Sequence, residues 1–319
     1  MGASLPPFSS VLKSRDVEDP VNLWVHRPLA YGIVALVYRS SITPNQITLV
    51  AFILGLMAAA CWFVGTPALM VTGGILLWSS AILDGADGIL ARAKQMQSEE
   101  GRALDGTADF LASAATVVAG FYYLWPSPFE PLSPTLMVVA WVTTVAHVYL
   151  YDYYKETFLH ATRPGRGTPR ETAEQVAEKL RRHREQGSGL VVRFALHSHI
   201  GLLTNQRRVV GLTNPASLEL DKLPVTPESA RIYRRRAYGP MQVWTAISLC
   251  PHTYLFSISA ICLRLDLYLW FRAVVANAIF VFALIWQRWA TARALEEIRQ
   301  LQQRGASGDA PARPSQARR

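Results

Sequence analysis

Asp84, Asp87, Asp105 and Asp109 are the residues of this chain whose type and spacing best fit chemistry. They fall in one stretch, LDGADGILARAKQMQSEEGRALDGTADF (residues 83–110), between two long apolar runs. Carboxylates crowded at an apolar boundary repel one another and lose hydration, so they need a compensating cation. Asp84 and Asp87 are three residues apart and Asp105 and Asp109 four apart, so each pair shares one face of a helix. Gly88 and Ala91 lie on the side of the first pair. Two antiparallel helices joined by a short polar turn would bring the pairs together. A donor set made only of oxygen selects hard cations, Mg2+ or Mn2+. Gly85, Gly88, Gly101 and Gly106 each cost roughly 1 kcal/mol in a helix interior. Their clustering around the carboxylates implies that something approaches the backbone closely.

The elements that must position these groups are membrane helices. Of the 319 residues 50% are hydrophobic and 17% charged, and the apolar residues gather into runs without charge. Residues 46–64, 67–83, 110–129, 131–151 and 237–263 are such runs, and 267–287 is broken only by Arg272. Six spans of roughly 17–25 residues suit a bilayer about 30 Å thick, and lipid requires them to be helical. The fold expected is therefore an all-α integral membrane protein, a bundle of six transmembrane helices. The apolar stretch 28–38 is too short to span, and with Trp24, Arg27 and Arg39 around it reads as an N-terminal interfacial helix. The first residues lack the apolar core of a signal peptide, and Pro6 spoils a myristoylation match.

Arg and Lys precede the first run and fill the connections on one side, while the other side holds one basic residue, Arg264. The positive-inside rule then puts both termini and the aspartates in the cytoplasm. The net charge of +9, flanking membrane spans, favours an anionic lipid surface over nucleic acid. Cys61, Cys250 and Cys262 lack metal-ligand spacing and read as small packing residues. Arg272 is expected to snorkel to the outer interface.

The expected divisions are a cytoplasmic N-terminus with the interfacial helix (1–45), helices one to four (46–153), a cytoplasmic or interfacial insert (154–239), helices five and six (240–290), and a cytoplasmic tail (291–319). Within the insert, residues 168–186 read as a helix started by Thr168 and Pro169. Residues 189–203 are apolar enough to lie on the membrane surface, and the tail from Gly305 has a disordered composition. No internal repeat is visible, which removes support from a transporter of two related halves.

Asp84, two residues, Asp87-Gly88, two residues, Ala91-Arg92, eight residues, Gly101, three residues, Asp105, three residues, Asp109: this series matches without a gap the signature of the CDP-alcohol phosphotransferases. TPNQIT (43–48) also resembles the segment that leads into that family's first span. The resemblance runs from about residue 20 to 290, apart from the long insert. It implies that Asp84, Asp87, Asp105 and Asp109 hold metal ions that clamp the diphosphate of a CDP-linked donor. Asp109 would also be the catalytic base that takes the acceptor's proton. Gly88, Ala91 and Gly101 would make room for the nucleotide, Arg92 would pair with a phosphate, and Asn45 and Thr48 would line the nucleotide pocket. The reaction implied is metal-dependent transfer of a phosphatidyl group, with CDP-diacylglycerol as donor, to an alcohol with release of CMP. A homodimer is implied by analogy.

The signature does not choose the acceptor. Phe110 stands where many members with anionic acceptors carry Lys or Arg, whereas DGADGILAR resembles the inositol-lipid and archaeal-type versions. CDP-choline or CDP-ethanolamine transfer to a lipid acceptor is the alternative within the family, and a membrane cation transporter is the alternative from another class. No cytidylyltransferase domain precedes the first span, so a fused bifunctional form is not expected. Asp152, Lys155 and His147 are candidate acceptor contacts or interfacial anchors. Arg193, Arg207, Arg208 and Arg234 to Arg236 are candidates for lipid headgroups or an acceptor phosphate. His197 and His199 read as solvated loop residues.

Overall fold

Thr43 and Gly65 bracket the first apolar run, and each acts as a helix stop. Thr43 forms a capping box with Gln46, with Pro44 in the first turn, where a missing N–H costs nothing. Gly65 closes the helix at φ 74°, a left-handed conformation that a side chain disfavours. Thr66 then caps the next helix by accepting from Leu69 N–H.

The computed structural model describes residues 5–11, 15–125, 133–163 and 172–306. In chain order the helices are α1 (Phe8–Val11), α2 (Arg27–Val37), α3 (Pro44–Val64), α4 (Pro67–Ala93), α5 (Glu99–Leu124), α6 (Ser133–Thr162), α7 (Ala173–Glu185), α8 (Leu190–Thr213), α9 (Pro215–Leu220), α10 (Pro227–Thr245), α11 (Leu249–Ile261), α12 (Leu265–Trp270) and α13 (Ala276–Ala306). A 3-10 turn (Arg15–Val17) and two π-helical turns (Asn22–His26 and Phe271–Val275) complete the regular structure. Among the described residues it is all helical.

Among the described residues, five stretches are long and apolar enough to cross a membrane: Pro44–Val64, Pro67–Ala93, Leu104–Leu124, Pro134–Thr162 and Leu265–Arg304. The expected continuous run at 237–263 is instead divided between α10, which carries Pro240 inside it, and α11. Pro251 cannot donate a backbone hydrogen bond, so it sits in the first turn of α11, after an extended Ser248.

Small residues let the helices of the first half approach closely. Gly73 faces Trp62 and the Ala58 carbonyl across the α3–α4 contact, and Gly55 faces Ala112 of α5. Ser80 Oγ donates to the Ala51 carbonyl at 2.7 Å, joining the same two helices. Trp62, Met70, Leu77 and Phe256 fill the core between α3, α4 and α11. A second core of Tyr153, Tyr154, Phe158, Tyr233 and Trp244 unites α6, α10 and α13. Large apolar side chains such as Leu49, Phe110, Trp141 and Ile285 remain exposed on the outer helix faces, as lipid-facing surfaces require.

The described part of the insert is mostly helical. Thr172 caps α7, whose Val176 and Leu180, four residues apart, are buried; Thr168, Pro169 and the tail beyond residue 306 lie outside the described residues. His197 and His199 sit on α8, not in a loop. Gln206 Nε2 donates to the Tyr149 carbonyl at 2.9 Å, and Tyr149 Oη donates to the Leu202 carbonyl at 2.6 Å, so α8 is fastened to α6.

Two further sequence expectations change. Arg272 does not reach the interface: it is 1% exposed, donating to Thr144 Oγ1 at 3.0 Å and to His147 Nδ1 at 2.9 Å. Because His147 Nδ1 accepts, its proton resides on Nε2, which donates to Asn277 Oδ1 at 3.1 Å. The π-helical turn turns Arg272 inward, and hydrogen bonds take the place of water. Cys250 is more than a packing residue, since its Sγ lies 3.2 Å from His26 Nδ1. Trp78 Nε1 donates to His26 Nε2 at 2.8 Å, which leaves the His26 proton on Nδ1, facing sulfur.

Gly73→Ala would put a Cβ 2.4 Å from Trp62 Nε1, and overpacking of this kind costs about 1–3 kcal/mol. Gly32→Ala in α2, where nothing lies within 4 Å, should be neutral or stabilising by up to ~1 kcal/mol. Thermal unfolding of both variants in detergent checks the pair; a Gly73→Ala melting point equal to wild type would refute the tight α3–α4 contact.

Candidate functional site

Helix periodicity sets each aspartate pair on one face, and the turn between α4 and α5 brings the pairs together. Gln95 takes φ 57°, reversing the chain. Ser98 Oγ accepts from Gly101 N–H at 2.9 Å and starts α5. Lys94 Nζ donates to the carbonyls of Ser40 (2.9 Å) and Ile42 (2.8 Å), tying this turn to the segment that leads into α3.

Asp84, Asp105 and Asp109, all half-buried, each offer an oxygen within 4.8 Å of the other two. The carboxyl groups of Asp84 and Asp109 are in direct contact. Asp87 is buried, and Thr48 Oγ1 of α3 donates a short hydrogen bond to its Oδ2. The charges of Asp84, Asp105 and Asp109 all bear on Asp87 or it on them, so the four carboxyl groups form one electrostatic cluster. The donor set contains oxygen alone, with no Cys or His, and this chemistry fits Mg2+ or Mn2+.

Asn45 also stands at this end of the bundle: a Cβ at Gly101 would lie 3.3 Å from Asn45 Oδ1 and 3.0 Å from Ser98 Oγ. The start of α3 thus meets α5 through Asn45 and α4 through Thr48. Arg92 lies one turn beyond Gly88 and folds back over it, its Nη1 3.4 Å from where a Cβ at position 88 would stand. Its Nε donates to the Val11 carbonyl at 2.6 Å. The space at Gly88 therefore accommodates the Arg92 guanidinium in this structure. Ala91 is half-buried near the end of α4, its carbonyl accepting from Met96 N–H at 2.9 Å. Gly106 faces open space.

Several other candidates are engaged elsewhere. Arg234 pairs with Asp16 (2.6 and 2.8 Å), and Arg235 and Arg236 both pair with Glu297. These arginines join the insert to the N-terminal segment and to α13, so they are not a free anion-binding surface. Lys155 Nζ is 2.5 Å from Asp152 Oδ1, and His147, 0% exposed, belongs to the Arg272 cluster. Sequence reasoning missed Arg27, which lies beside Gly85 of α4, and Glu18, which pairs with it. No spacing rule connects residue 27 with residue 85.

Thr48→Val removes the hydroxyl that serves the buried Asp87, a loss of about 1–3 kcal/mol. Thr48→Ser should retain most of that stability. Denaturation in detergent compares the two, and equal loss in both would assign the effect to packing.

Residues 41–176 match the family described as CDP-alcohol phosphatidyltransferase. A relative named bifunctional IPC transferase and DIPP synthase, from Aquifex aeolicus, is 34% identical over 118 residues, covering 35% of this chain and 27% of the relative. Archaetidylinositol phosphate synthase of Pyrococcus horikoshii is 36% identical over 100 residues, covering 30% and 52% respectively. Inner membrane protein YnjF of Escherichia coli is 36% identical over 112 residues, covering 34% and 46%. The matched part thus spans from about a quarter to a half of the length of these curated relatives.

Proposed function

With residues 41–176 belonging to the CDP-alcohol phosphatidyltransferase family, we propose that this protein transfers a phosphatidyl-type group from a CDP-linked donor, CDP-diacylglycerol, to an alcohol and releases CMP. The observation that carries the reading is the meeting of Asp84, Asp105 and Asp109 within 4.8 Å, with Asp87 held beside them by Thr48.

Asp84, Asp87, Asp105 and Asp109 would hold Mg2+ or Mn2+, which when bound neutralises charge on the diphosphate and steadies the leaving oxygen. Asp109 accepts the proton of the acceptor hydroxyl. The hydroxyl oxygen bonds to the phosphorus that carries the lipid, the bond from that phosphorus to the CMP oxygen breaks, and CMP leaves with the electron pair. Asn45, Thr48, Gly88, Ala91 and Gly101 surround the nucleotide, and Arg92 engages a phosphate. Phosphoryl transfer asks mainly for positioning and charge neutralisation, which a set of fixed carboxylates on packed helices supplies.

The aspartate pairs lie toward the same end of α4 and α5, where a lipid donor in the bilayer can meet a water-soluble alcohol. The basic flanks of the helices support a cytoplasmic location for that end. In this reading α10 and α11 together form a sixth crossing, α2 lies in the interface, residues 154–239 form the cytoplasmic insert, and the protein is a homodimer. The names of the relatives, together with DGADGILAR, favour an inositol or inositol phosphate acceptor. Transfer from CDP-choline or CDP-ethanolamine to a lipid is the competing reading within the family. A cation path would want carboxylates along the middle of the spans, so transport is less well supported.

Asp109→Asn should lower CMP release about 10^2–10^4-fold while the protein still folds in detergent; near-normal turnover in that variant would refute the base assignment. A chelator should abolish CMP release by wild type, with recovery on adding Mg2+ or Mn2+. The assay supplies CDP-diacylglycerol with inositol, inositol phosphate, glycerol phosphate and serine one at a time, then CDP-choline with diacylglycerol.

A further inference from the structure

Two guanidinium groups lie side by side on the glycine face of α4, and only Arg92 belongs to the signature. Arg27, the first residue of α2, directs its Nη1 at Gly85, where a Cβ would stand 3.6 Å away. Arg92 directs Nη1 and Nη2 at Gly88, at 3.4 and 3.8 Å from the corresponding position. Gly85 and Gly88 are one turn apart, so the two guanidinium groups occupy neighbouring places along α4 where a side chain is missing. Arg27 is close enough for its charge to act on Arg92. Glu18 and Asp87 also act on Arg92 and offset part of that repulsion, and a phosphate shared by both guanidinium groups would offset more of it.

Glu18, 8% exposed, holds Arg27 with a two-pronged contact: Nε to Oε2 at 2.9 Å and Nη2 to Oε1 at 3.2 Å. That contact fixes the direction of the remaining nitrogen. The Val11 carbonyl does the same for Arg92 through Nε. Arg27 Nη1 and both Arg92 Nη groups are then left without a hydrogen-bond acceptor among the described residues. If Arg27 served only as a counter-charge for Asp84 and Asp87, a buried carboxylate bound to it would defeat the purpose by cancelling its charge. A carboxylate that orients it suits a donor held ready for a ligand.

We propose that Arg27, together with Arg92, forms a phosphate-binding pair on the side of α4 next to the aspartates, oriented by Glu18. This rests on the phosphotransferase reading and deepens it. The ligand is a phosphate group, supplied by the donor's diphosphate or by a phosphate on the acceptor alcohol. Arg27 acts by direct contact and Glu18 is a positioning residue.

Isothermal titration of the detergent-solubilised full chain with CDP plus Mg2+, then with inositol 1-phosphate in the presence of both, tests this. Arg27→Gln and the charge-balanced Glu18→Gln/Arg27→Gln variant are compared with wild type, so that a folding defect caused by a lone buried carboxylate is recognised. Loss of one charge-assisted contact should weaken binding roughly 10- to 100-fold in both variants, with partial rescue by Arg27→Lys, which keeps the charge without the fork. Weaker CDP binding assigns the pair to the donor. Unchanged CDP binding with weaker inositol 1-phosphate binding assigns it to the acceptor. Folded variants that bind CDP as wild type does and show no loss toward inositol 1-phosphate would make Arg27 a structural strut and overturn the inference alone. Wild type that neither binds CDP nor releases CMP would overturn the phosphotransferase reading beneath it.

Discussion

Four carboxylates gathered at one end of a helix bundle repel one another, and the structure must hold them together against that repulsion. Oxygens of Asp84, Asp105 and Asp109 lie within 4.8 Å of one another, a spacing at which carboxylates repel unless a cation or a shared proton intervenes. The arrangement survives because the backbone leaves it little freedom. Gly73 and Gly55 allow α3 to lie close against α4 and α5, Ser80 pins α4 to α3, and Thr48 steadies Asp87 from the side. Close packing of small residues substitutes for the hydrophobic effect, which is weak between helices in lipid.

The N-terminal segment is a second constraint, and it joins parts of the molecule that are distant in sequence. Asp16 binds Arg234 through its carboxylate and Gln242 through its carbonyl. The Val17 carbonyl accepts from Tyr151 Oη at 2.6 Å, and Val11 and Glu18 hold the two arginines beside the aspartates. Asp19, buried here, accepts from Asn22 N–H at 2.9 Å, and burial raises its carboxyl above the ordinary carboxylate range. One strap of chain thus contacts α4, α6 and α10 together. The ion pairs of the insert with the end of α13, Arg235 and Arg236 with Glu297 and Arg299 with Glu219, add a helical layer on the same side.

Buried polar groups follow the same logic deeper in the bundle. Arg272, His147, Thr144 and Asn277 are joined by side-chain hydrogen bonds through Arg272 Nε and Nη1, with Arg272 Nη2 left unmatched, and Trp78, His26 and Cys250 form a second chain. In a low-dielectric interior such chains fix the relative rotation of helices more firmly than apolar contacts can, because each unmatched group is costly. A π-helical turn stands beside each chain, at Phe271–Val275 and Asn22–His26.

The sequence alone determined the helical class, most apolar runs and the pairing of Asp84 with Asp87 and of Asp105 with Asp109. These are local properties: charge-free length and a 3.6-residue repeat can be read without knowing any partner. The signature also brought Arg92, Gly88, Gly101, Asn45 and Thr48 into consideration. Tertiary structure alone decided what those residues touch. Thr48 meets Asp87 across 39 positions and Cys250 meets His26 across 224. Arg272 turns inward because Thr144 and His147 of α6 await it, and Arg234 to Arg236 are occupied by carboxylates that no short-range pattern assigns to them. The run at 237–263 breaks in two where Pro251 denies α11 an earlier start. Such contacts depend on how helix surfaces fit at close range, and the complementarity of two surfaces is not a property of either segment taken alone.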